Sequence, residues 1–496
     1  MFLTAFTARL ATGLHLGGLF ATRGYDDAVY YAAADALAFG HLPYRDFVFL
    51  HPPGIVLGLL PFAELGRLTH DGWGFAAARL GWMAIGALNA TLAAVVARRY
   101  GAGAAVAAGL FYALWPPILE VESITRLEPL VSLCLLAGWA MTTHPRLAES
   151  PRWQVAAGLA LGLAPAVKVW ALVPVLVIAV WTAVSLPPRG RLRLLLATAG
   201  GTTLVCLPFF VLAPGDMWRL VVSAQLGRTR VRGVPWRWHE LAGLSTVPDP
   251  GGPLVAGAVI ALLGVAVLLL AWRRGARLPV VLALVQLAVL FSTPSFFNFY
   301  PAYVLPAFAV CCGAAAAHVW QALARVGAGS RAPGRARVRT VAASGVAALA
   351  SAVLLLELVG VAPDLPDGRP FPSAKIWPAV HRARCVTADS PQALIQLDIF
   401  SRNLRRGCPV VVDVTGLSLE IDPGLTARTR RHERAWQEAL LAHLDSGKVA
   451  ILMRPSWDGF SNRTARKIRR WPVLASWGPV TARRTHRARV SPPVAP

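Results

Sequence analysis

The sequence predicts an α-helical polytopic membrane protein of about eleven spans, followed by a small C-terminal α/β domain outside the cytoplasm. Three observations carry that prediction. Of 496 residues, 55% are hydrophobic and only 15% charged, where a soluble chain has about a quarter charged. Mean hydropathy is +0.52. Arginines gather in every second link between apolar runs, the pattern of cytoplasmic loops.

A span needs about 20 apolar residues, with about 17 as a lower bound. Runs of this kind fall near 2–21, 76–97, 102–119, 128–143, 154–169, 171–187, 193–213, 252–271, 278–292, 300–322 and 340–361. The first lacks a basic n-region and a cleavage site, so it is expected to stay as a span. Lys168 divides the long run 154–187 into two short helices. Counting alternately puts on one side Arg98 and Arg99; Arg146 and Arg152; Arg189, Arg191 and Arg193; Arg273, Arg274 and Arg277; and Arg325, Arg331, Arg335, Arg337 and Arg339. Glu149 is the one acid among them. That side is then cytoplasmic. The first loop (22–75), the connection around Glu120 and Glu122, the link at Lys168, the stretch 214–251 and the link 293–299 face outward. Residues 55–69 are apolar but short. Counting them as a span would reverse every later Arg loop, so they are expected to form an interfacial or re-entrant helix.

The chain divides into a transmembrane module, 1–361, and an extracytoplasmic domain with a basic tail, 362–496. In the latter, "RCVTAD", "CPVVVDV" and "KVAILM" predict three strands of a short parallel sheet. Ser390 and Pro391 predict a helix start and Gly407 its stop. A second helix is expected in "RAWQEALLAHLDSG". From "SNRTARKIRR" onward the chain is basic and Pro-bearing and is expected to be partly disordered. Cys134, Cys206, Cys311 and Cys312 sit in apolar runs and suit packing. Cys385 and Cys408 lie in the hydrophilic part and are a disulfide candidate if that part is outside the cell. The formal charge of +24 fits loops against an anionic membrane surface. No nucleic-acid motif accompanies it, so a nucleic-acid partner is excluded.

The chemistry-bearing residues concentrate in the first loop. "YDDAVYYAAADALAFG" predicts a helix with Asp26 and Asp27 in its first turn and Gly40 at its stop. Tyr30, the pair Arg45-Asp46 and the corner His51-Pro52-Pro53 follow. Later come Arg126-Leu127-Glu128 at the outer start of a span, and Lys168 after "GLALGLAPAV".

In this order and topology, these motifs resemble the polytopic GT-C glycosyltransferases, and within them the branch of protein O-mannosyltransferases and lipid A aminoarabinose transferases. The resemblance covers roughly 1–320. It departs from the usual pattern in having Glu128 where many members carry Asp, and in lacking both a sequon-binding signature and a lectin-like insert. It implies transfer of a sugar, with inversion, from a polyprenyl-phosphate carrier to a hydroxyl on a wall glycan, glycolipid or protein. The setting would be the outer face of a plasma membrane. Asp26 would be the general base and Asp27 its partner. A divalent cation on Asp26 and Glu128 is one option for the donor phosphate, and no other cofactor is implied.

Each candidate has a plainer role beside the functional one. Either acid of the pair suits helix capping. Arg45 and Asp46 could simply pair with each other. His51 could touch phosphate or a sugar hydroxyl, or cap the next helix. Glu128 could face a polar cavity or pair with Arg126. Lys168 could bind donor phosphate or snorkel to the membrane surface. Arg228, Arg230 and Arg232, beside Trp236 and Trp238, suit phosphate or sugar binding or a headgroup anchor. Asn298 and Tyr300 suit a cavity wall or an aromatic belt. A lipid-carrier flippase or a non-catalytic envelope scaffold are the rival functions. Neither would need carboxylates at positions 26 and 27 for chemistry.

Overall fold

A computed structural model describes residues 1–230, 233–242, 252–328, 368–426, 428–454 and 459–486. Two compact units emerge. One comprises 1–13, 81–204 and 230–364; the other comprises 14–80, 205–229 and 365–496.

The first ten helices are α1 (Phe2–His15), α2 (Tyr25–Ala38), α3 (Gly54–Leu68), α4 (Asp71–Ala97), α5 (Ala102–Leu114), α6 (Pro116–Val121), α7 (Leu127–Thr142), α8 (Pro151–Leu163), α9 (Leu172–Val184) and α10 (Pro188–Leu212). Apolar helices Gly252–Arg273, Arg277–Ser292 and Pro301–Ala328 follow. Among the described residues, three helices are long and apolar enough to cross a membrane: Asp71–Tyr100, Pro188–Leu212 and Pro301–Leu323. Most other expected spans fold as helices of 10–17 residues, which at about 1.5 Å per residue are short for a hydrocarbon core of about 30 Å. The run 2–21 gives only the 14-residue α1, and 340–361 lies outside the described residues. The surface of α10 is apolar and open, with Leu196 at 62%, Leu204 at 73% and Val211 at 67% exposure. Such a face is costly against water and suits lipid.

Within the first unit, buried charges are paired. Arg9 of α1 donates Nε to Glu122 Oε2 at 2.7 Å and Nη1 to Ala113 O at 3.1 Å. Tyr112 and Asn89 donate to Glu122 Oε1 at 2.9 and 3.1 Å. Glu122, expected in an outward connection, is therefore fully buried. A carboxylate with three donors can stay charged without water.

In the second unit the C-terminal residues build a four-stranded mixed sheet: β1 (Val386–Ala388), β2 (Val449–Leu452), β3 (Val473–Trp477) and β4 (Val480–Arg484), in the order β1-β2-β4-β3. Only β1 and β2 are parallel; β2–β4 and β3–β4 are antiparallel. This corrects the sequence reading twice. First, "CPVVVDV" forms no strand. A disulfide ties Cys408 to Cys385, and Asp413 accepts from Gly416 N at 2.7 Å, closing a turn where a strand was expected. Second, the basic tail supplies β3 and β4. Its arginines mask an alternation in which Val480 and Ala482 are buried, and Gly478 takes the positive φ of 56° that the tight turn requires. The predicted helix after Ser390 is interrupted: Pro391–Gln396 and Phe400–Arg405 flank Asp398 at φ 53°. Ser390 holds the N-cap position without a side-chain capping bond. Helix Arg434–Asp445 buries Trp436, Leu440 and Leu444 at i, i+4 and i+8 against Val414, Leu452 and Trp471.

The Cys385–Cys408 bridge closes a sequence separation of 23, worth roughly 3 kcal/mol by loop entropy. Replacing both cysteines by Ser should lower the unfolding temperature of the purified chain, and reductant should do the same to the wild type only.

Asp389 follows β1 and accepts from Met453 N at 2.9 Å and Arg454 N at 2.7 Å. Burial outweighs those donors and pushes its carboxyl up to about 6. The folded unit thus holds this proton more tightly than the unfolded chain. Its stabilising contribution is full below about pH 4 and is lost as pH rises through about 6. Melting at pH 4.5 and pH 7 should show that fall in the wild type and a smaller one in Asp389→Asn.

Candidate functional site

The candidate residues fall into two groups, one in each unit. In the second unit, α2 begins at Tyr25 and places Asp26 and Asp27 in its first turn. The two neighbours point differently, as helical geometry requires. Asp27 is fully buried, and Arg79 of α4 is 1% exposed. Arg79 Nε donates to Asp27 Oδ2 at 3.0 Å, and Nη2 donates to the same oxygen. Its Nη1 donates to Leu19 O at 2.6 Å and Ala21 O at 2.9 Å, and the guanidinium lies 4.3 Å from the centre of the Phe75 ring. One arginine thereby fixes the entry to α2. Asp26 is half-buried. Asp27 is committed to an ion pair with Arg79, whereas Asp26 keeps partial exposure.

Tyr25 is gripped by the C-terminal residues. Its hydroxyl donates to Asp413 Oδ1 at 2.9 Å and accepts from Thr415 N at 3.1 Å. Arg454 sits 4.2 Å over its ring. Farther along α2, Asp35 accepts from Ser401 Oγ at 2.8 Å, and burial raises its carboxyl well above the usual range, with Asp71 adding to the effect. Gln392 Nε2 donates to Ala21 O at 3.0 Å. The C-terminal residues therefore hold α2 at both ends.

His51 is tied to its own loop. Tyr30 Oη lies 3.3 Å from His51 Nε2, and Tyr44 Oη donates to His51 O at 2.6 Å. Pro53, not His51, occupies the N-cap of α3. Arg45 and Asp46 pair with each other at 2.9 Å. Asp46 also accepts from Leu42 N at 2.7 Å. The Arg45 hydrogen bond holds the Asp46 carboxyl below the usual range. Arg228 is half-buried, and among the described residues its Nε has no hydrogen-bond partner.

In the first unit, Lys168 Nζ pairs with Glu128 Oε1 at 2.6 Å, and both are buried. Glu128 thus pairs with Lys168, while the Arg126 guanidinium lies 4.2 Å over the Phe299 ring. Lys168 Nζ is 4.3 Å from the Tyr300 ring centre and 4.9 Å from that of Trp170. A lysine buried at 6% exposure does not snorkel. Tyr300 is buried while Asn298 is exposed. Arg230 is exposed and donates to Phe291 O at 3.0 Å; Arg232 lies outside the described residues. Arg237, which the sequence did not single out, is fully buried. It donates to Leu290 O at 2.8 Å and Pro294 O at 3.0 Å, closing the end of helix Arg277–Ser292. Trp238 donates to Gly257 O at 3.0 Å.

Among the described residues, no three His, Cys, Asp or Glu side chains are grouped to hold a metal.

No protein-family model and no curated protein matches the sequence. Solved structures do. ArnT from Cupriavidus metallidurans, bound to undecaprenyl phosphate, superimposes with a TM-score of 0.60 over 97% of both chains, at 18% identity. The Archaeoglobus fulgidus oligosaccharyltransferase, tethered to an acceptor peptide, gives 0.52 at 12% identity, over 94% of this chain and 72% of that one. The oligosaccharyltransferase AglB from Archaeoglobus fulgidus, with an inhibitory peptide and a dolichol-phosphate, gives 0.51 over 92% and 69%, also at 12% identity.

This chain has the GT-C fold.

The likeness to ArnT runs through the C-terminal residues as well as the apolar helices, since nearly the whole of each chain is covered. Of the residues absent from the sequence reading, Arg79, Arg237 and Asp413 are each placed by contacts from outside their own sequence neighbourhood. For Arg79 the available signal was type alone: a charged residue in an apolar helix is costly unless paired; Arg237 and Asp413 carried no such signal.

Proposed function

We propose that the chain is an integral membrane glycosyltransferase that moves a sugar from a polyprenyl-phosphate carrier to a hydroxyl acceptor, with inversion, using Asp26 as general base. The observation that carries this reading is the asymmetry of the acidic pair. Arg79 locks Asp27 in place, and Asp26 on the same turn keeps partial exposure. A hydroxyl acceptor needs its proton removed as the glycosidic bond forms, and a fixed carboxylate is suited to that. The fold neighbours were solved with undecaprenyl phosphate and dolichol-phosphate, which supports a lipid-phosphate donor. Lys168, already aligned against an anion at Glu128, is the candidate for the carrier phosphate, with Tyr300 and Trp170 as its aromatic walls. Tyr30 and His51 would orient sugar hydroxyls. Arg228 and Arg230 remain candidates for donor contacts.

About eleven spans within residues 1–361 would place the first loop and the domain 362–496 on the extracytoplasmic face of a plasma membrane. A Cys385–Cys408 disulfide suits that compartment.

The test offers purified protein a panel of polyprenyl-phosphate sugars with an envelope extract as acceptor, and measures released polyprenyl phosphate. Release that requires the extract is the expected result. Donor bound without release, but translocated across proteoliposomes, would replace the enzyme by a carrier flippase.

A further inference from the structure

A cleft of about 250 Å³ lies within the second unit, between Tyr44–Val48 of the first loop and Val410–Asp413 of the C-terminal residues. Its lining is amphipathic. Phe47, Val410 and Val411 give apolar faces, while Asp46, Asp413 and Glu420 give carboxylates.

The carboxylates are not equivalent. Both oxygens of Asp46 accept from Arg45, and one also from Leu42 N. Glu420 Oε1 is reached by Arg219 at 3.2 Å. At Asp413, Oδ1 accepts three hydrogen bonds: Tyr25 Oη at 2.9 Å, Thr415 Oγ1 at 3.0 Å and Gly416 N at 2.7 Å. Among the described residues Oδ2 accepts none. Asp413 is therefore clamped by one oxygen and presents the other. Gly416 protects that arrangement, since a Cβ there would stand 2.4 Å from Oδ2.

The chemistry of the cleft selects its occupant. Three carboxylates against Arg45 and Arg219 disfavour a phosphate or a carboxylate, although the whole chain carries +24. An acyl or prenyl chain would strand the polar oxygens. The volume lies below the about 300–1,000 Å³ of sites for drug-sized ligands. A single ring with hydroxyl edges and C–H faces satisfies the lining. Position adds a reason. Tyr25, bonded to Asp413, immediately precedes Asp26, and Asp26 is close enough to Asp413 to raise its carboxyl electrostatically, behind the larger effect of burial.

We infer that this cleft holds a sugar ring of the acceptor, with Asp413 Oδ2 accepting a hydrogen bond from one of its hydroxyls. The inference rests on the proposed transferase reading and names the acceptor class for the same site.

The test is saturation-transfer NMR on the full chain in detergent, with methyl glucoside, methyl mannoside and methyl glucosaminide as probes and inorganic phosphate as competitor. Binding of at least one glycoside is expected, undisturbed by phosphate. It should weaken at least fivefold in Asp413→Asn, whose side chain keeps its shape, and in Val411→Trp, which fills the cleft. Melting temperatures near wild type confirm that both variants fold. No binding by any glycoside, binding equal in both variants, or displacement by phosphate would each overturn the inference. Release of polyprenyl phosphate from a donor is measured separately. Release with an empty cleft would sink the acceptor assignment alone, while glycoside binding without release from any donor would sink the transferase reading.

Discussion

Asp26→Asn is expected to lower sugar transfer by about 10²- to 10⁴-fold, the range a positioned general base contributes. The substitution keeps the side chain's shape and its place in the first turn of α2, so donor KM should change little. A loss confined to kcat is the signature of an interaction made in the transition state. The check is steady-state release of polyprenyl phosphate by wild type and variant at matched donor concentrations. An unchanged rate would return Asp26 to a helix-terminus role, where a carboxylate favours the dipole without doing chemistry.

Arg79→Met should be the most destabilising single change in the first-loop region. It would take the guanidinium from Asp27, which is buried at 0% exposure, and would remove one donor each from the carbonyls of Leu19 and Ala21. Breaking one side of a buried ion pair costs about 3–5 kcal/mol. The physical content lies in the comparison with Arg79→Met combined with Asp27→Asn. Removing both charges removes the unpaired ion, so the double variant should recover part of the loss, as a double-mutant cycle would report. Thermal unfolding of the detergent-solubilised chain measures it. Equal melting temperatures for the single and double variants would mean that Asp27 is not held as an anion. Asp27→Asn alone should lose activity together with stability, unlike Asp26→Asn.

The sequence on its own determined the apolar helices and the ordered set of polar residues between them. Period and composition are local properties, so α2 with its acids in the first turn, the break at Lys168 and the helix Arg434–Asp445 were all legible. So was the possibility of a Cys385–Cys408 bridge. Partners were not. Arg79 and Asp27 are 52 residues apart, and Tyr25 and Asp413 are 388 apart; no local pattern encodes such a pairing. That is why two adjacent aspartates, indistinguishable as letters, acquire different environments only when α4 brings an arginine to one of them. The same holds for "CPVVVDV", whose β-branched run predicts a strand. Strand propensity describes a fit to neighbours. Here the neighbours are a disulfide, a turn at Asp413 and the hydroxyl of Tyr25, so the segment becomes the wall of a cleft. The tail shows the converse: β3 and β4 form among arginines because the edge of β2 supplies the hydrogen bonds that their own composition does not announce.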